Sequence, residues 1–311
     1  MIPADLSPMI ALPGGSFWMG SDDHYADEAP VRRREVGAFR IDARPVTNRD
    51  FARFVKATGY VTAAERSLDP ADYPTVDPKR LKPGALVFVP PTTKTASHWS
   101  DWWRYTPRAH WLKPDGKTSV YRGRLDHPVV CVAYEDAQTF AAWAGKVLPT
   151  EVQWEYAARG GLERKPYAWG DDFSPDGQLM ANTWTGAFPY ENLALHGFEG
   201  PSPAGAFPPN GYGLDDMIGN VWEWTSDWYV AAPGDEIAGC CGLAGPEHSY
   251  DPDLPDIRIP RRVVKGGSWL CHASYCARYR PAARQPQMVD TATGHIGFRC
   301  VAQARIGAIW P

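Results

Sequence analysis

The residues best suited to chemistry lie in one stretch, Gly266-Gly267-Ser268-Trp269-Leu270-Cys271-His272-Ala273-Ser274-Tyr275-Cys276-Ala277-Arg278-Tyr279-Arg280. Two cysteines stand five residues apart. On a strand, an odd spacing sends their side chains to opposite faces. On a helix they point about 140° apart. If the thiols meet, the chain between them must turn, as in a loop shaped to hold both. Arg278, Arg280 and Arg284 follow closely, and cationic neighbours favour the thiolate, the form that attacks or binds metal. Two thiolates suit a soft, low-coordinate ion such as Cu(I). Zinc would need four ligands, with His272 and His295 as candidates to complete the set. A structural disulfide, or two unrelated buried thiols, is the plainer reading of the same spacing.

A second group is rich in oxygen. Asp216 and Glu223 flank Gly219-Asn220-Val221. Two carboxylates with loop carbonyls are the hard set that Ca²⁺ takes, although a solvated acidic turn has the same composition. The chain has no Gly-x-Ser-x-Gly and no Gly-x-x-x-x-Gly-Lys, so it offers neither a hydrolase elbow nor a phosphate loop.

The elements that must position these groups are short. Residues 11–47 read as strands and turns, among them residues 39–42. Thr47 can cap a helix with Asp50 three residues on, Phe51, Phe54 and Val55 form its apolar face, and Gly59 ends it. Residues 66–126, rich in Pro, Trp and charge, form a long excursion without periodicity. Residues 127–132 read as a buried strand. A helix over about 135–144 follows, with Ala137, Phe140, Ala141 and Ala144 on one face. Thr150 and Gln153 make a capping box for a third helix that stops at Gly160-Gly161. Beyond Tyr167 no helical period appears. The expectation is an α+β fold, low in regular secondary structure, forming a single domain over 1–311.

Composition agrees. Among 311 residues there are 14 Trp, 29 Gly and 30 Pro. Aromatics spread through such a chain indicate short elements, structured loops and an aromatic core. The net charge of −4 gives no electrostatic case for nucleic acid or an anionic membrane. No basic-then-apolar leader opens the sequence and no run approaches a membrane span, so the expected location is cytoplasmic. Six cysteines, Cys131, Cys240, Cys241, Cys271, Cys276 and Cys300, then read as free, catalytic or metal-binding thiols.

Several motifs carry a family resemblance. Residues 262–284 with Gly297-Phe298-Arg299-Cys300 closely resemble the C-terminal part of formylglycine-generating enzymes. So do Leu148-Pro149-Thr150-Glu151-Val152-Gln153-Trp154-Glu155 and Asn210-Gly211-Tyr212-Gly213-Leu214 on through Gly219-Asn220-Val221-Trp222-Glu223-Trp224. Pro13-Gly14-Gly15-Ser16-Phe17-Trp18-Met19-Gly20 and Pro45-Val46-Thr47-Asn48 fit as well. Most of these motifs mark the broad superfamily, which includes non-catalytic modules; the Cys271/Cys276 pair is the specific part.

The resemblance implies the formylglycine-generating-enzyme/sulfatase-modifying fold, related to C-type lectins. It also implies a copper-dependent oxidase that converts the cysteine of a Cys-X-Pro-X-Arg segment in a sulfatase to formylglycine. Cys271 and Cys276 would bind Cu(I) and be joined there by the substrate thiol. O₂ would be reduced, a hydrogen removed from the substrate Cβ, and sulfide lost by hydrolysis of a thioaldehyde, with a thiol reductant as partner. Ser268 and Trp222 match active-site positions, and Tyr275 and Arg280 are further pocket candidates. His295 stands where vertebrate-type relatives have asparagine, so substrate contacts there are expected to differ. A structural calcium would be held by Asp216, the carbonyls of Gly219 and Val221, and Glu223. A second would use Asn182 and the carbonyls of Thr183 and Phe198, but His196 replaces the family's aspartate, so that site is expected to be empty or rebuilt from Asn192 or Glu191. Ala142, Ala158 and Pro281 occupy three disulfide positions of vertebrate-type relatives, leaving Cys300 unpaired. A monomer is expected. The alternative function is a non-catalytic binding or scaffold module of the superfamily. A non-haem iron relative would need a His and carboxylate facial set and an N-terminal helical domain.

Overall fold

Among the described residues, three short α-helices and eleven short strands are joined by long structured loops. The structure is a computed structural model and describes residues 6–93, 98–231 and 245–303. Cys240 and Cys241 lie outside the described residues. Helix α1 (Asn48–Thr58) begins where Thr47 Oγ1 accepts the Asp50 N–H and ends on Gly59 at φ 69°. Helix α2 spans Tyr134–Trp143. Helix α3 (Glu151–Ala158) starts from the Thr150/Gln153 capping box. The apolar faces of α1 and α2 meet in an aromatic core: Phe51 stacks on Phe140 with centroids 5.9 Å apart, and Phe298 and Trp111 close around them.

Strands β1 (Met9–Leu12) and β4 (Phe39–Asp42) pair antiparallel, and β11 (Val301–Gln303) adds to the other side of β4. Strands β2 (Gly15–Met19) and β3 (Arg32–Val36) form a two-stranded ribbon. A second ribbon, β5 (Gly84–Phe88) with β6 (Trp103–Pro107), lies inside the excursion that shows no periodicity in the sequence. The sheet that positions the cysteines runs β10 (Ile296–Gly297), β7 (Trp222–Trp228), β8 (Arg261–Lys265), β9 (Arg284–Met288).

Residues 127–132 depart from the strand expectation. Val129 to Val132 are buried as the apolar run requires, but the segment makes only an isolated bridge from Pro128 to Thr47. Pro128 has no N–H to give a ladder, and Cys131 sits at φ 57°, which breaks an extended run.

Helix α3 is buried on a charged side. Lys265 Nζ, fully buried at the end of β8, is 3.0 Å from Glu155 Oε2 and 3.1 Å from the Ala282 carbonyl. Glu151 takes Arg284 bidentately at 2.8 and 3.0 Å. Ions this deep persist only when paired and hydrogen-bonded. They tie α3 to β8 and β9, on either side of the cysteine loop. Among the described residues no helix is long and apolar enough to cross a membrane.

A candidate two-thiol active site

The cysteine loop leaves β8 through Gly266 and Gly267. Gly267 lies at φ 75°, and a Cβ there would stand 2.9 Å from the Arg278 carbonyl oxygen and the Tyr279 Cα. Only glycine lets the outgoing limb pass this close to the returning one. Between the limbs the chain turns twice. The Cys271 N–H donates to the Ser268 carbonyl at 2.9 Å, and the Tyr275 and Cys276 N–H groups donate to the His272 carbonyl at 2.9 and 2.8 Å. These turns do what neither strand nor helix does with a five-residue spacing: Cys271 Sγ and Cys276 Sγ lie 3.3 Å apart. They stand as free thiols in contact rather than as a disulfide.

The two sulfurs are not equivalent. Burial, the hydrogen bond with Cys276 and the nearby charge push the Cys271 thiol well up. Cys276 is pulled below the ordinary thiol value by the hydrogen bond from Cys271, by the Arg278 backbone N–H, and by the charges of Arg278 and Arg280. The pair is therefore polarised: Cys276 is the sulfur that gives up its proton more readily, and Cys271, whose sulfur also accepts the Ser268 N–H at 3.4 Å, is the one that keeps it.

Both sulfurs border a cavity of about 250 Å³, shared with Ser268, Trp222, Tyr275 and His295. Six residues singled out in the sequence thus converge. Tyr275, 46% exposed, stacks on Phe188 at 4.4 Å and stands edge-on to Trp102 at 5.4 Å. Burial and then the neighbouring thiols push its phenol up to about 12. His295, whose ring sits 4.6 Å from that of Trp103, is driven down to about 3 by burial and is neutral.

Arg280 does not border this cavity. Its guanidinium is buried in a two-point pair with Glu28 at 2.7 and 2.5 Å, so it acts on Cys276 through its charge. Arg278 borders the cavity instead, held by Asp27 at 3.1 Å and lying 3.9 Å over the Tyr25 ring. Tyr25, Trp102, Trp103, Phe188, Leu270 and Gln285 complete the wall. None is signalled by periodicity: Leu270 neighbours Cys271, and the others come from segments distant in sequence. The Trp102-Trp103 doublet in an otherwise polar excursion is the nearest to a signal.

The donor set fits a soft ion: two adjacent sulfurs, one with a lowered thiol pKa, facing a cavity. Zinc finds no complete set. His272 turns Nδ1 to Ser274 Oγ at 2.8 Å, and among the described residues no group of three or more His, Cys, Asp or Glu side chains gathers as a metal site.

The calcium candidates divide. Asp216 is buried, accepts one hydrogen bond, from the Gly205 N–H at 2.7 Å, and is pushed up to about 6 by burial. Such a carboxylate has capacity left for a cation, and Gly219 and Val221 follow it closely along the chain. Glu223 does not fit the ligand role: both its oxygens are taken by Arg299 at 2.8 and 2.9 Å, and Oε2 also accepts Trp154 Nε1–H at 2.8 Å.

The second candidate does not fit. His196 Nε2 lies 2.8 Å from the Thr183 carbonyl, the oxygen a cation would need, while Nδ1 accepts the Phe198 N–H at 3.3 Å. Asn182 Oδ1 is left buried without a partner. Asn192 does not rebuild the set, since its Oδ1 already accepts Thr185 Oγ1–H and the Ala194 N–H. Glu191 is exposed.

The model of the sulfatase-modifying factor enzyme 1-like domain matches residues 3–304. The chain is 52% identical over 302 residues to the formylglycine-generating enzyme of Mycobacterium tuberculosis, covering 96% of this chain and 98% of that one. It is 44% identical to the formylglycine-generating enzyme of Thermomonospora curvata, covering 94% and 93%. Its fold matches PvdO from Pseudomonas aeruginosa with a TM-score of 0.65 at 24% identity, covering 97% and 96%. The chain belongs to the sulfatase-modifying factor enzyme 1-like family, alongside the formylglycine-generating enzymes.

Proposed function

We propose that this protein is a copper-dependent oxidase that uses O₂ to convert the cysteine of a Cys-X-Pro-X-Arg segment in a sulfatase-type protein into formylglycine. The observation that carries the reading is the Cys271/Cys276 pair, 3.3 Å apart on a cavity, in a chain of this family. Bound Cu(I) would supply the one-electron and O₂ chemistry. The overall change is RCH₂SH + O₂ + 2e⁻ + 2H⁺ → RCHO + H₂S + H₂O, the two electrons coming from a thiol reductant that becomes a disulfide.

The protein's own groups supply the rest. Cys276 is the sulfur that loses its proton more readily, and the proton on Cys271, held by burial, must also leave before both sulfurs can ligate. Ser268 holds Cys271 through its backbone N–H. The wall of Trp102, Phe188 and Tyr275 offers an apolar, partly exposed platform for an extended peptide, with Trp222 and Leu270 excluding water at the base. Asp216 with the carbonyls of Gly219 and Val221 would take a structural calcium. Free thiols at Cys131, Cys271, Cys276 and Cys300 suit a reducing cytoplasm, and the protein would act as a monomer.

The test incubates a Cys-X-Pro-X-Arg peptide aerobically with protein, Cu(I) and a thiol reductant. Wild type runs beside Cys271→Ser and Cys276→Ser, with mass spectrometry as readout. Replacement of CH₂SH by CHO in wild type alone supports the oxidase. No conversion by folded, copper-loaded wild type would leave a binding module.

A further inference from the structure

Thr293 and His295 form a pair beside the thiol cavity. Thr293 Oγ1 lies 2.7 Å from His295 Nδ1, and Thr293 is 3% exposed. A hydroxyl has one hydrogen to place. Among the described residues His295 Nδ1 is the one partner of that oxygen. Were the ring to donate from Nδ1, the threonine hydrogen would be buried with no acceptor, which carries the full desolvation penalty of that group. Thr293 therefore donates to Nδ1, and the ring hydrogen sits on Nε2.

Nε2 makes no hydrogen bond to protein among the described residues and is not among the buried unpaired atoms, whereas His295 borders the cavity. The backbone on either side is pinned. The Cys131 N–H donates to the Thr293 carbonyl at 2.8 Å, the Gly294 N–H to the Leu86 carbonyl at 2.9 Å, and the Trp222 N–H to the His295 carbonyl at 2.9 Å. The Trp103 ring closes one side of the imidazole. The result is a rigid, uncharged N–H in the wall of the site.

We propose that Thr293 and His295 act as a unit that offers His295 Nε2–H to a backbone carbonyl of the substrate peptide beside its cysteine. The inference rests on the oxidase reading above. A peptide entering the cavity brings thiols, carbonyls and N–H groups, and the carbonyl is its obligatory strong acceptor. Thr293 is the positioning residue, since it selects the tautomer without bordering the cavity.

The test combines spectroscopy and kinetics. In ¹⁵N-histidine-labelled protein, long-range ¹H–¹⁵N correlations report the tautomer of His295, assigned by its absence in His295→Asn. Wild type should show hydrogen on Nε2, and Thr293→Val should show a mixture or the Nδ1–H form. With the peptide, His295→Leu should raise KM by about ten-fold, the upper range for one hydrogen bond, with kcat held within about two-fold. His295→Asn, whose amide also donates, should recover most of the loss. Thr293→Val, nearly isosteric, should raise KM less than His295→Leu does. An Nδ1–H tautomer in wild type would overturn the inference, as would a fall in kcat at constant KM in His295→Leu. No turnover by wild type would instead sink the oxidase reading itself.

Discussion

Removing the Glu28 carboxylate should cost the protein several kcal/mol without altering how it binds a substrate peptide. Arg280 and Glu28 meet through two hydrogen bonds, with side chains 3% and 0% exposed. Neither group reaches water, so Glu28→Leu leaves a guanidinium buried and unpaired. Breaking a buried pair from one side costs about 3–5 kcal/mol. Unfolding entropy of about 2.1 cal/mol/K per residue over 311 residues gives about 0.65 kcal/mol per degree. The expected fall in Tm is therefore about 5–8 °C, read by calorimetry or circular dichroism. Arg280→Met should fall similarly, because it strands the carboxylate. Glu28→Leu with Arg280→Met should recover most of the loss, since an apolar pair of similar volume is often as stable as a buried ion pair. Peptide KM in all three should stay near wild type. A native Tm in Arg280→Met together with a large rise in KM would refute the reasoning and turn the guanidinium toward substrate.

Other outcomes follow from the same geometry. Cys276, lowered from the ordinary 9.0, should be alkylated before Cys271 at neutral pH. Its thiolate persists as pH falls below the ordinary value, and Cys271→Ala, which removes the donated hydrogen bond, should shift that profile to higher pH. Faster alkylation of Cys271 would reverse the assignment. His196→Asp should create a calcium site from Thr183 O, Asn182 Oδ1 and the new carboxylate. Its Tm should rise by about 4 °C at calcium one hundred-fold above Kd, from about 2.7 kcal/mol of linkage. Wild-type binding of calcium that is lost in Asn182→Ala would show instead that the imidazole does not exclude the ion. Gly267→Ala should lower stability by more than about 1 kcal/mol, because φ is positive and the Cβ meets backbone. It should also abolish the rate difference between the two thiols; a normal difference would separate loop geometry from thiol asymmetry.

What the sequence makes legible is local. Thr47, Gly59 and the Thr150/Gln153 box mark helix ends because capping depends on a few adjacent residues. The cysteine loop is legible for a similar reason: its spacing is incompatible with regular structure. Three features are not. The strand expected over residues 127–132 has the right burial but the wrong backbone, since apolar runs report burial and not φ at Cys131. The β5–β6 ribbon is hidden because its burial does not alternate: Gly84 and Ala85 are buried, the rest of β5 is half-buried, and in β6 Arg104 and Pro107 are exposed. Arg280 and Arg278 are alike in sequence, and only the fold, by bringing Asp27 and Glu28 to the loop, decides which one faces the cavity.

That decision also explains how a fold with so little regular structure holds two thiols 3.3 Å apart. The limb returning from Cys276 carries three arginines, and each finds an acid from far along the chain: Arg278 with Asp27, Arg280 with Glu28, Arg284 with Glu151. Two of these acids are adjacent on the turn that also brings Tyr25 to the cavity, where the Tyr25 hydroxyl accepts the Ala277 N–H at 3.1 Å. Charge pairing thus fastens the cysteine loop to one wall of its own pocket. With the hydrogen bond from Cys271, the Arg278 and Arg280 guanidinium groups lower Cys276, so contacts that fix the geometry also favour that sulfur as the one to lose its proton. A change confined to residues 25–28 should therefore alter the chemistry of Cys276 before it alters the shape of the apolar wall formed by Trp102, Phe188 and Tyr275, which is built from other segments.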